Sequence, residues 1–278
     1  MEEEFDPSIG RWSPRQGMEF SVAQSERMID IAGVHKTFVA DHGTVTALEP
    51  VSITIKGGEF ISIVGPSGCG KSTLLRLISG LDHASGGTIT LDTAGRKRPV
   101  GFVFQEPVLL PWKTIIDNVR FPLDTAGVSR AQGNKIALDL IKMVGLTGFE
   151  RALPRQLSGG MRQRAAIARS LSDDPPILLM DEPFSAVDLM TRDTLNDELL
   201  RIWQSTGKTI LLVTHSVDEA AYLADRVMVM TARPGKLKCV HNVDLARPRG
   251  EETKLDPAYH ALVAELRRDL RSSGGEAH

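Results

Sequence analysis

The chain carries the run Gly65-Pro66-Ser67-Gly68-Cys69-Gly70-Lys71-Ser72-Thr73, which fits the pattern GxxxxGK[ST]. The mostly apolar residues 60–64 before it predict a strand, and residues 74–79 after it predict a helix. Glycines in such a turn let backbone N–H groups converge on phosphate oxygens, and the following helix directs the positive end of its dipole at the same anion. The run therefore predicts a phosphate-binding loop, hereafter the P-loop.

Two P-loop side chains have predicted roles toward ATP. Lys71 would reach the β- and γ-phosphates, and Ser72 would ligate Mg²⁺. Because the flanking strand and helix are also present, we favour this interpretation over a glycine turn of purely structural use. For Cys69 we favour a packing role in a position that needs a small residue, with redox chemistry as the alternative.

Short apolar strands alternate with helical patterns along much of the chain, which predicts parallel pairing through helical crossovers and hence an α/β core. Residues 177–180 are apolar without alternation, as expected for a central strand whose two faces are covered by helices. The predicted core strands are residues 60–64, 100–104, 177–180, 209–213 and 227–230.

Three further segments organise the rest of the chain. Strand patterns at 28–38, 45–55 and 88–91, separated by glycines, predict a smaller antiparallel β layer beside the core. Helical patterns fill the stretch from about 107 to 174, which we interpret as a helical subdomain inserted into the core. The predicted division is a flexible tail (1–25), an ATPase domain (26–250) and a C-terminal amphipathic helix with its tail (251–278), the helix presenting Leu262, Val263, Leu266 and Leu270.

Composition excludes several classes of protein. The 33 Lys and Arg against 35 Asp and Glu give a net charge of −2, which disfavours a nucleic-acid partner. Two cysteines cannot build a disulfide framework, so a reducing, cytosolic location is expected. The sequence contains neither a run long enough for a spanning helix nor a basic, apolar signal peptide at its start. We therefore expect membrane crossing, where it is needed, to come from other chains.

A pair of carboxylates, Asp181 and Glu182, ends the strand at 177–180. The carboxyl ends of parallel strands form the edge where ligands bind, so this pair is predicted to lie beside the P-loop. Asp181 would hold Mg²⁺ through water, and Glu182 would orient and deprotonate the attacking water. The alternative is an acidic strand end that serves only solubility.

A second glycine-rich turn opens a helix at Leu157-Ser158-Gly159-Gly160-Met161-Arg162-Gln163-Arg164. A serine, backbone N–H groups and a helix N-terminus make another anion site. One nucleotide scarcely needs two such sites on one chain, so the second would face ATP held by another copy. By itself the turn also fits an ordinary N-capped helix start.

Together these motifs identify a resemblance to the nucleotide-binding subunits of ABC transporters, spanning Phe38 to His215, nearly two thirds of the chain. The resemblance implies an α/β fold of the P-loop NTPase type, with a mostly parallel sheet, an antiparallel β layer and an inserted helical subdomain. It implies that Phe38 stacks on adenine, that Gln105 lies near Mg²⁺ and that His215 contacts the γ-phosphate. It also implies that the signature Ser158 to Gln163, with Ser158, Gly159, Gly160 and Gln163, faces the opposing ATP. Residues 185–188 are implied to be the D-loop, with Asp188 among the residues that bind ATP. Taken alone, Phe38 would fit a core residue and His215 a capped strand end.

Finer matches resemble importers of nitrate, aliphatic sulfonates and taurine. They are Gly101-Phe102-Val103-Phe104-Gln105-Glu106-Pro107, Leu110-Pro111-Trp112, Asp117-Asn118-Val119, Met180-Asp181-Glu182-Pro183-Phe184 and Thr191-Arg192. The D-loop departs slightly, with Ser185 and Val187 where that family often has glycine and leucine. This likeness implies an ATPase homodimer on the cytoplasmic face of the cell membrane, with two permease subunits and an extracytoplasmic solute-binding protein.

The segment Leu109-Leu110-Pro111-Trp112 follows Gln105 closely and is predicted to dock on the permease. The alternative is that Trp112 packs inward as core of the helical subdomain. Two rival functions stay open at this point: a soluble P-loop ATPase that remodels protein or nucleic acid, and an exporter subunit. Near-zero net charge disfavours the nucleic-acid machine, and the subfamily likeness disfavours the exporter.

Overall fold

A computed structural model describes residues 28–40, 43–93, 95–185 and 187–273. The predicted N-terminal tail, 1–25, lies outside these residues, as do the last five residues of the C-terminal tail. The strands are β1 (Ile29–Ala40), β2 (Gly43–Ile55), β3 (Phe60–Val64), β4 (Gly86–Leu91), β5 (Val100–Val103), β6 (Ile177–Asp181), β7 (Thr209–Val213), β8 (Arg226–Met230) and β9 (Leu237–Asn242). The α-helices are α1 (Lys71–Ser79), α2 (Ile115–Thr125), α3 (Arg130–Met143), α4 (Gly159–Leu171), α5 (Leu189–Thr206), α6 (Val217–Leu223), α7 (Glu251–Leu255) and α8 (Pro257–Ser273).

The central sheet has the order β5-β6-β7-β3-β8-β9. Its first five strands are parallel, and only β9 runs antiparallel, against β8. Every residue of β3, β6 and β7 is buried, which explains why these strands lack polar alternation. The prediction of a mostly parallel sheet is confirmed, while β9 was not foreseen.

The antiparallel layer has the order β2-β1-β4 and packs over one face of the central sheet. Between them lies a core of apolar side chains from both sheets and from α1, including Ile29, Leu48, Ile61 and Leu75. This layer confirms the predicted smaller β unit, and it brings β2 against the P-loop.

The region predicted as a helical subdomain contains α2, α3 and α4, joined by loops and one short 3₁₀ turn at Pro154–Gln156. Side-chain hydroxyls cap all three helices at their N-termini: Thr114, Ser129 and Ser158 accept from backbone N–H groups one turn ahead. Buried residues of these helices join the same apolar core as the inner face of β6. The subdomain is therefore packed onto the sheet edge that carries the site.

The terminal helix α8 is amphipathic, as predicted. Tyr259, Val263 and Leu266 are buried in the main core, and Leu262 and Leu270 pack partly against it. Within the described residues, the helices are too short or too polar to cross a membrane. The proposed division of the chain at residues 26 and 250 stays an interpretation.

Candidate functional site

The site lies at the carboxyl ends of three neighbouring parallel strands. The P-loop follows β3, Glu182 follows β6, and His215 stands two residues beyond β7. The loops are joined to the sheet by backbone hydrogen bonds, since Glu182 N donates to Val213 O at 2.9 Å and Thr214 N donates to Ile63 O at 3.1 Å. Strand order alone thus brings residues separated by more than a hundred positions to one edge, as the sequence predicted for the carboxylates.

Glycines fix the backbone path of the P-loop. Gly68 and Gly70 have φ of 71° and 96°, a conformation that residues with side chains rarely adopt. A Cβ at Gly70 would lie 2.8 Å from the carbonyl oxygen of Ala47 on β2, so a larger residue would also clash with the antiparallel layer. The following helix α1 begins at Lys71, which leaves its first N–H groups for an anion.

The Lys71 side chain is folded into the loop. Its Nζ donates to the carbonyl oxygens of Gly65 and Pro66 at 2.8 and 3.0 Å, and only 5% of the residue is exposed. The two carbonyls hold the Lys71 amine within the loop. The position fits the predicted role on the phosphates of ATP.

Cys69 is fully buried beneath the loop. A Cβ added at Gly65 would lie 2.8 Å from its Sγ, and burial raises the pKa of the Cys69 thiol. A buried thiol with a raised pKa is a poor nucleophile, so the geometry favours packing over redox chemistry.

Ser72 and Asp181 meet directly, because the hydroxyl of Ser72 donates to Asp181 Oδ1 at 2.7 Å. Asp181 is 7% exposed, and this burial raises the pKa of its carboxyl, partly offset by the Ser72 hydrogen bond. A hydroxyl beside a carboxylate, both at a phosphate-binding loop, is an oxygen donor set that suits Mg²⁺. The residues therefore fit the predicted metal role.

Glu182 lies between two polar side chains from different loops. Its Oε2 is 3.5 Å from Gln105 Nε2 and 3.6 Å from His215 Nδ1. Gln105 Nε2 also donates to Ser185 Oγ at 3.3 Å, within the predicted D-loop. Glu182 has φ of 46°, which is uncommon for a non-glycine residue. The structure thus brings together the three residues predicted to act in hydrolysis.

The second glycine-rich turn points to the molecular surface. Ser158 caps α4 by accepting from Met161 N at 3.3 Å, and Ser158 and Gly159 are exposed while Gly160 is buried. The buried face is tight, since a Cβ at Gly160 would lie 3.1 Å from Thr191 Cγ2. The turn is therefore a capped helix start that is exposed at Ser158 and Gly159.

Gln163 has a different contact from the predicted one with ATP. The residue is 2% exposed, and its Nε2 lies 3.5 Å from the carbonyl oxygen of Phe104, next to Gln105. It stands one turn into α4, on the face that packs against the end of β5. In this arrangement Gln163 links the second turn to the Gln105 loop.

Phe38 and Asp188 both lie on the surface. Phe38 is 43% exposed with Lys36 Nζ 4.9 Å from its ring centre, so the interpretation of Phe38 as a core residue is wrong. Asp188 caps α5, and the hydrogen bond from Thr191 N lowers the pKa of its carboxyl. Both residues are accessible to a ligand, and their predicted contacts with ATP stay predictions.

Sequence reasoning missed Arg233, which follows β8. Its Nε donates to the carbonyl oxygen of Gly68 at 2.7 Å, and a Cβ at Gly68 would lie 2.9 Å from its Nη2. Arg233 thereby brings a guanidinium to the P-loop and fixes one carbonyl of it. The two residues are 165 positions apart, and only the pairing of β3 with β8 brings them together.

Trp112 is 74% exposed, so the alternative that it packs inward is wrong. Leu109, by contrast, is 8% exposed and belongs to the core, which corrects its predicted place in the docking segment. The amide of Asn118 fixes the segment by bonding to both the N–H and the carbonyl of Leu110. The surface that remains for a partner is centred on Trp112.

Comparison with known proteins agrees with this geometry. A family model described as ABC transporter matches residues 48–185. An uncharacterized ABC transporter ATP-binding protein of Methanocaldococcus jannaschii is 50% identical over 254 residues, covering 89% of this chain and 95% of the relative. A taurine import ATP-binding protein of Rhizobium johnstonii is 44% identical, covering 85% of this chain and 94% of the relative. A nitrate import ATP-binding protein of Synechocystis is also 44% identical, covering 83% and 87%.

Among solved structures, a dimeric ATP-binding cassette in a post-hydrolysis state, bound to ADP and Pi, matches with a TM-score of 0.69. It is 35% identical, and the match covers 80% of this chain and 100% of that one. The chain is an ATP-binding subunit of the ABC transporter family.

Proposed function

We propose that the chain hydrolyses ATP and thereby drives import of a small anionic solute through separate membrane subunits. The observation that carries the proposal is the meeting of Glu182 with Gln105 and His215 beside the P-loop. A carboxylate near two polar side chains, next to a buried lysine at a helix N-terminus, has the parts that phosphoryl transfer to water needs.

We assign each residue of the site a role in hydrolysis. Lys71 and the N–H groups at the start of α1 bind the phosphates. Ser72 and Asp181 would hold Mg²⁺, which when bound supplies positive charge to the β- and γ-phosphate oxygens. Glu182 orients the attacking water and accepts its proton, while Gln105 and His215 position the Glu182 carboxylate. The 3.5 and 3.6 Å contacts of the Glu182 carboxylate would tighten when the site closes around ATP.

The proposed assembly is a homodimer in which each ATP is enclosed by two copies. The exposed turn at Ser158 and Gly159 would supply N–H groups to the phosphates bound by the other copy. The dimeric form of the solved cassette supports this arrangement. The turn at Ser158 would then both cap α4 within its own chain and bind the phosphates held by the other copy.

The proposed membrane partners are two permease subunits, together with an extracytoplasmic solute-binding protein. An exposed tryptophan in a short loop that begins at the Gln105 strand end supports a docking contact coupled to the nucleotide site. The chain would then lie peripherally on the cytoplasmic face of the inner membrane. The relatives named for taurine and nitrate import support an anionic solute of that type.

The test uses a strain of the source organism that lacks this chain. We expect uptake of labelled taurine, nitrate or an alkanesulfonate to fall to background, and to return with the wild-type chain but not with Glu182→Gln. Glu252→Gln, at an exposed glutamate of α7, is the control that should restore uptake. Unchanged uptake of all three solutes would contradict the proposed solute class, and full rescue by Glu182→Gln would contradict ATP hydrolysis as the driving step.

A further inference from the structure

A cluster of three potential metal ligands lies outside the nucleotide site, between the edge strand β9 and the terminal helix α8. Its members are Cys239, His241 and Asp269. Cys239 and His241 are two residues apart on β9 and so project from the same face of the strand, and Asp269 comes from α8. Within the described residues it is the one group of this kind, all three members being half-buried.

The three donor atoms converge on one point. Cys239 Sγ is 3.4 Å from His241 Nε2 and 3.7 Å from Asp269 Oδ2, and His241 Nε2 is 2.8 Å from Asp269 Oδ2. A point about 1 Å above the plane of these atoms lies about 2.2 Å from each, close to the bond lengths of Zn²⁺ to sulfur, nitrogen and oxygen. The nitrogen and oxygen need separate only by about 0.5 Å to reach a tetrahedral face.

In a catalytic cysteine relay the thiol contacts one nitrogen of a histidine ring and a carboxylate contacts the other. Here Asp269 Oδ2 makes the shorter contact with His241 Nε2, at 2.8 Å against 3.4 Å for Cys239 Sγ. The nitrogen that would take the thiol proton is thus already bonded to a carboxylate, which does not fit a relay. A disulfide does not fit either, because the chain's other cysteine, Cys69, is buried in the P-loop. Convergence on a single atom position is what a shared metal ion requires.

The surroundings supply what a zinc-bound histidine needs. Glu265 Oε1 lies 3.5 Å from His241 Nδ1 and stands one turn before Asp269 on α8. A carboxylate on the far nitrogen of a ligating imidazole keeps the proton there and leaves Nε2 free for the metal. Lys238 binds the other carboxylate oxygen, Asp269 Oδ1, at 3.0 Å and so leaves Oδ2 directed at the cluster.

We propose that Cys239, His241 and Asp269 bind one Zn²⁺ ion, with Glu265 orienting His241 and water in the fourth position. A thiolate and a carboxylate balance the charge of the ion, and a mixed sulfur, nitrogen and oxygen set suits Zn²⁺ rather than Mg²⁺ or Ca²⁺. The ion cross-links β9 to α8, and so fastens the terminal helix to the edge of the central sheet.

The test is titration of the full-length, metal-stripped chain with Co²⁺ as a spectroscopic substitute, in excess Mg²⁺ and ATP so that the nucleotide site is filled. We expect one Co²⁺ per chain with a thiolate-to-cobalt absorption band that Zn²⁺ abolishes. Cys239→Ser should lose the band, whereas Cys69→Ala should keep it. Absence of the band in the wild-type chain, or its persistence in Cys239→Ser, would overturn the proposal.

Two further variants separate a metal site from an ordinary ion-pair cluster. Glu265→Gln should keep the band and weaken Co²⁺ binding by about 10- to 100-fold, the usual effect of losing the partner of a ligating histidine. His241→Ala should weaken Co²⁺ binding further. His260→Ala, at an exposed histidine of α8, should leave Co²⁺ binding unchanged. Zn²⁺ should also raise the thermal midpoint of the wild-type chain and leave that of Cys239→Ser unchanged. A rise of equal size in both would contradict the assignment.

Discussion

The two glycine-rich turns of this chain, the P-loop and the turn at Ser158, differ in how many of their contacts the chain itself supplies. At the P-loop, Lys71 is bonded to two carbonyls, Ser72 to Asp181, and Gly68 to Arg233, so contacts within the chain hold this part of the site, hereafter the P-loop half. The turn at Ser158 satisfies its helix start and then presents its outer surface to solvent. The difference supports the proposal that the first turn binds a ligand for its own chain and the second one serves another copy.

The largest expected effect on the P-loop half of the site is that of Glu182→Gln. Glutamine keeps the shape and hydrogen-bonding reach of the carboxylate but cannot accept a proton, so ATP turnover should fall at least about 10²-fold while ATP binding persists. Because hydrolysis no longer opens the dimer, the two-ATP dimer should accumulate and be detected by light scattering. Near-normal turnover would remove Glu182 from the role of base.

Trp112→Ala tests the proposed coupling between the P-loop half of the site and a membrane partner. Loss of an exposed aromatic anchor should cost about 2 kcal/mol of permease binding, roughly 30-fold in affinity, and abolish solute uptake while the isolated chain still hydrolyses ATP. Leu255→Ala, at an equally exposed apolar residue of α7, is the control. Uptake that persists in Trp112→Ala would show that the docking surface is elsewhere, as would a matching loss in Leu255→Ala.

The smallest expected effect is that of removing a serine cap, and it distinguishes a serine that only caps a helix from one that also binds a ligand. Ser158→Ala and Ser129→Ala each remove a serine cap, of α4 and α3 respectively, and each should lower the free energy of unfolding by about 1 kcal/mol. Only Ser158→Ala should also reduce ATPase activity at saturating ATP. Equal activities of the two variants, measured at equal stability, would leave Ser158 with a capping role alone.

Much of the fold was predictable because its determinants are local. The buried strands β3, β6 and β7 are continuous apolar runs, and the P-loop glycines stand between a strand and a helix in the sequence itself. The nearness of Asp181 to Ser72 follows from one general property, that parallel strands share a carboxyl edge.

The remainder depends on contacts that no local pattern encodes. Strand β9 is partly exposed and carries Lys238 and His241, so its sequence lacks the apolar run that identified the other core strands. Arg233 reaches Gly68 across 165 positions, and Cys239 meets Asp269 across 30. Leu109 and Trp112, three residues apart in one predicted apolar patch, differ in burial because Leu109 joins the main apolar core and Trp112 does not.

The central claim, that one ATP site is built from two chains, is tested most directly by mixing two inactive variants. Ser158→Arg keeps an intact P-loop and Lys71→Ala keeps an intact second turn, so a mixed dimer contains one whole site and one doubly damaged site. We predict that each variant alone is inactive and that an equal mixture regains about a quarter of wild-type ATPase activity if intact sites work independently. Mixed dimers that form, as shown by differently tagged chains, yet hydrolyse no ATP at any mixing ratio would contradict a shared site.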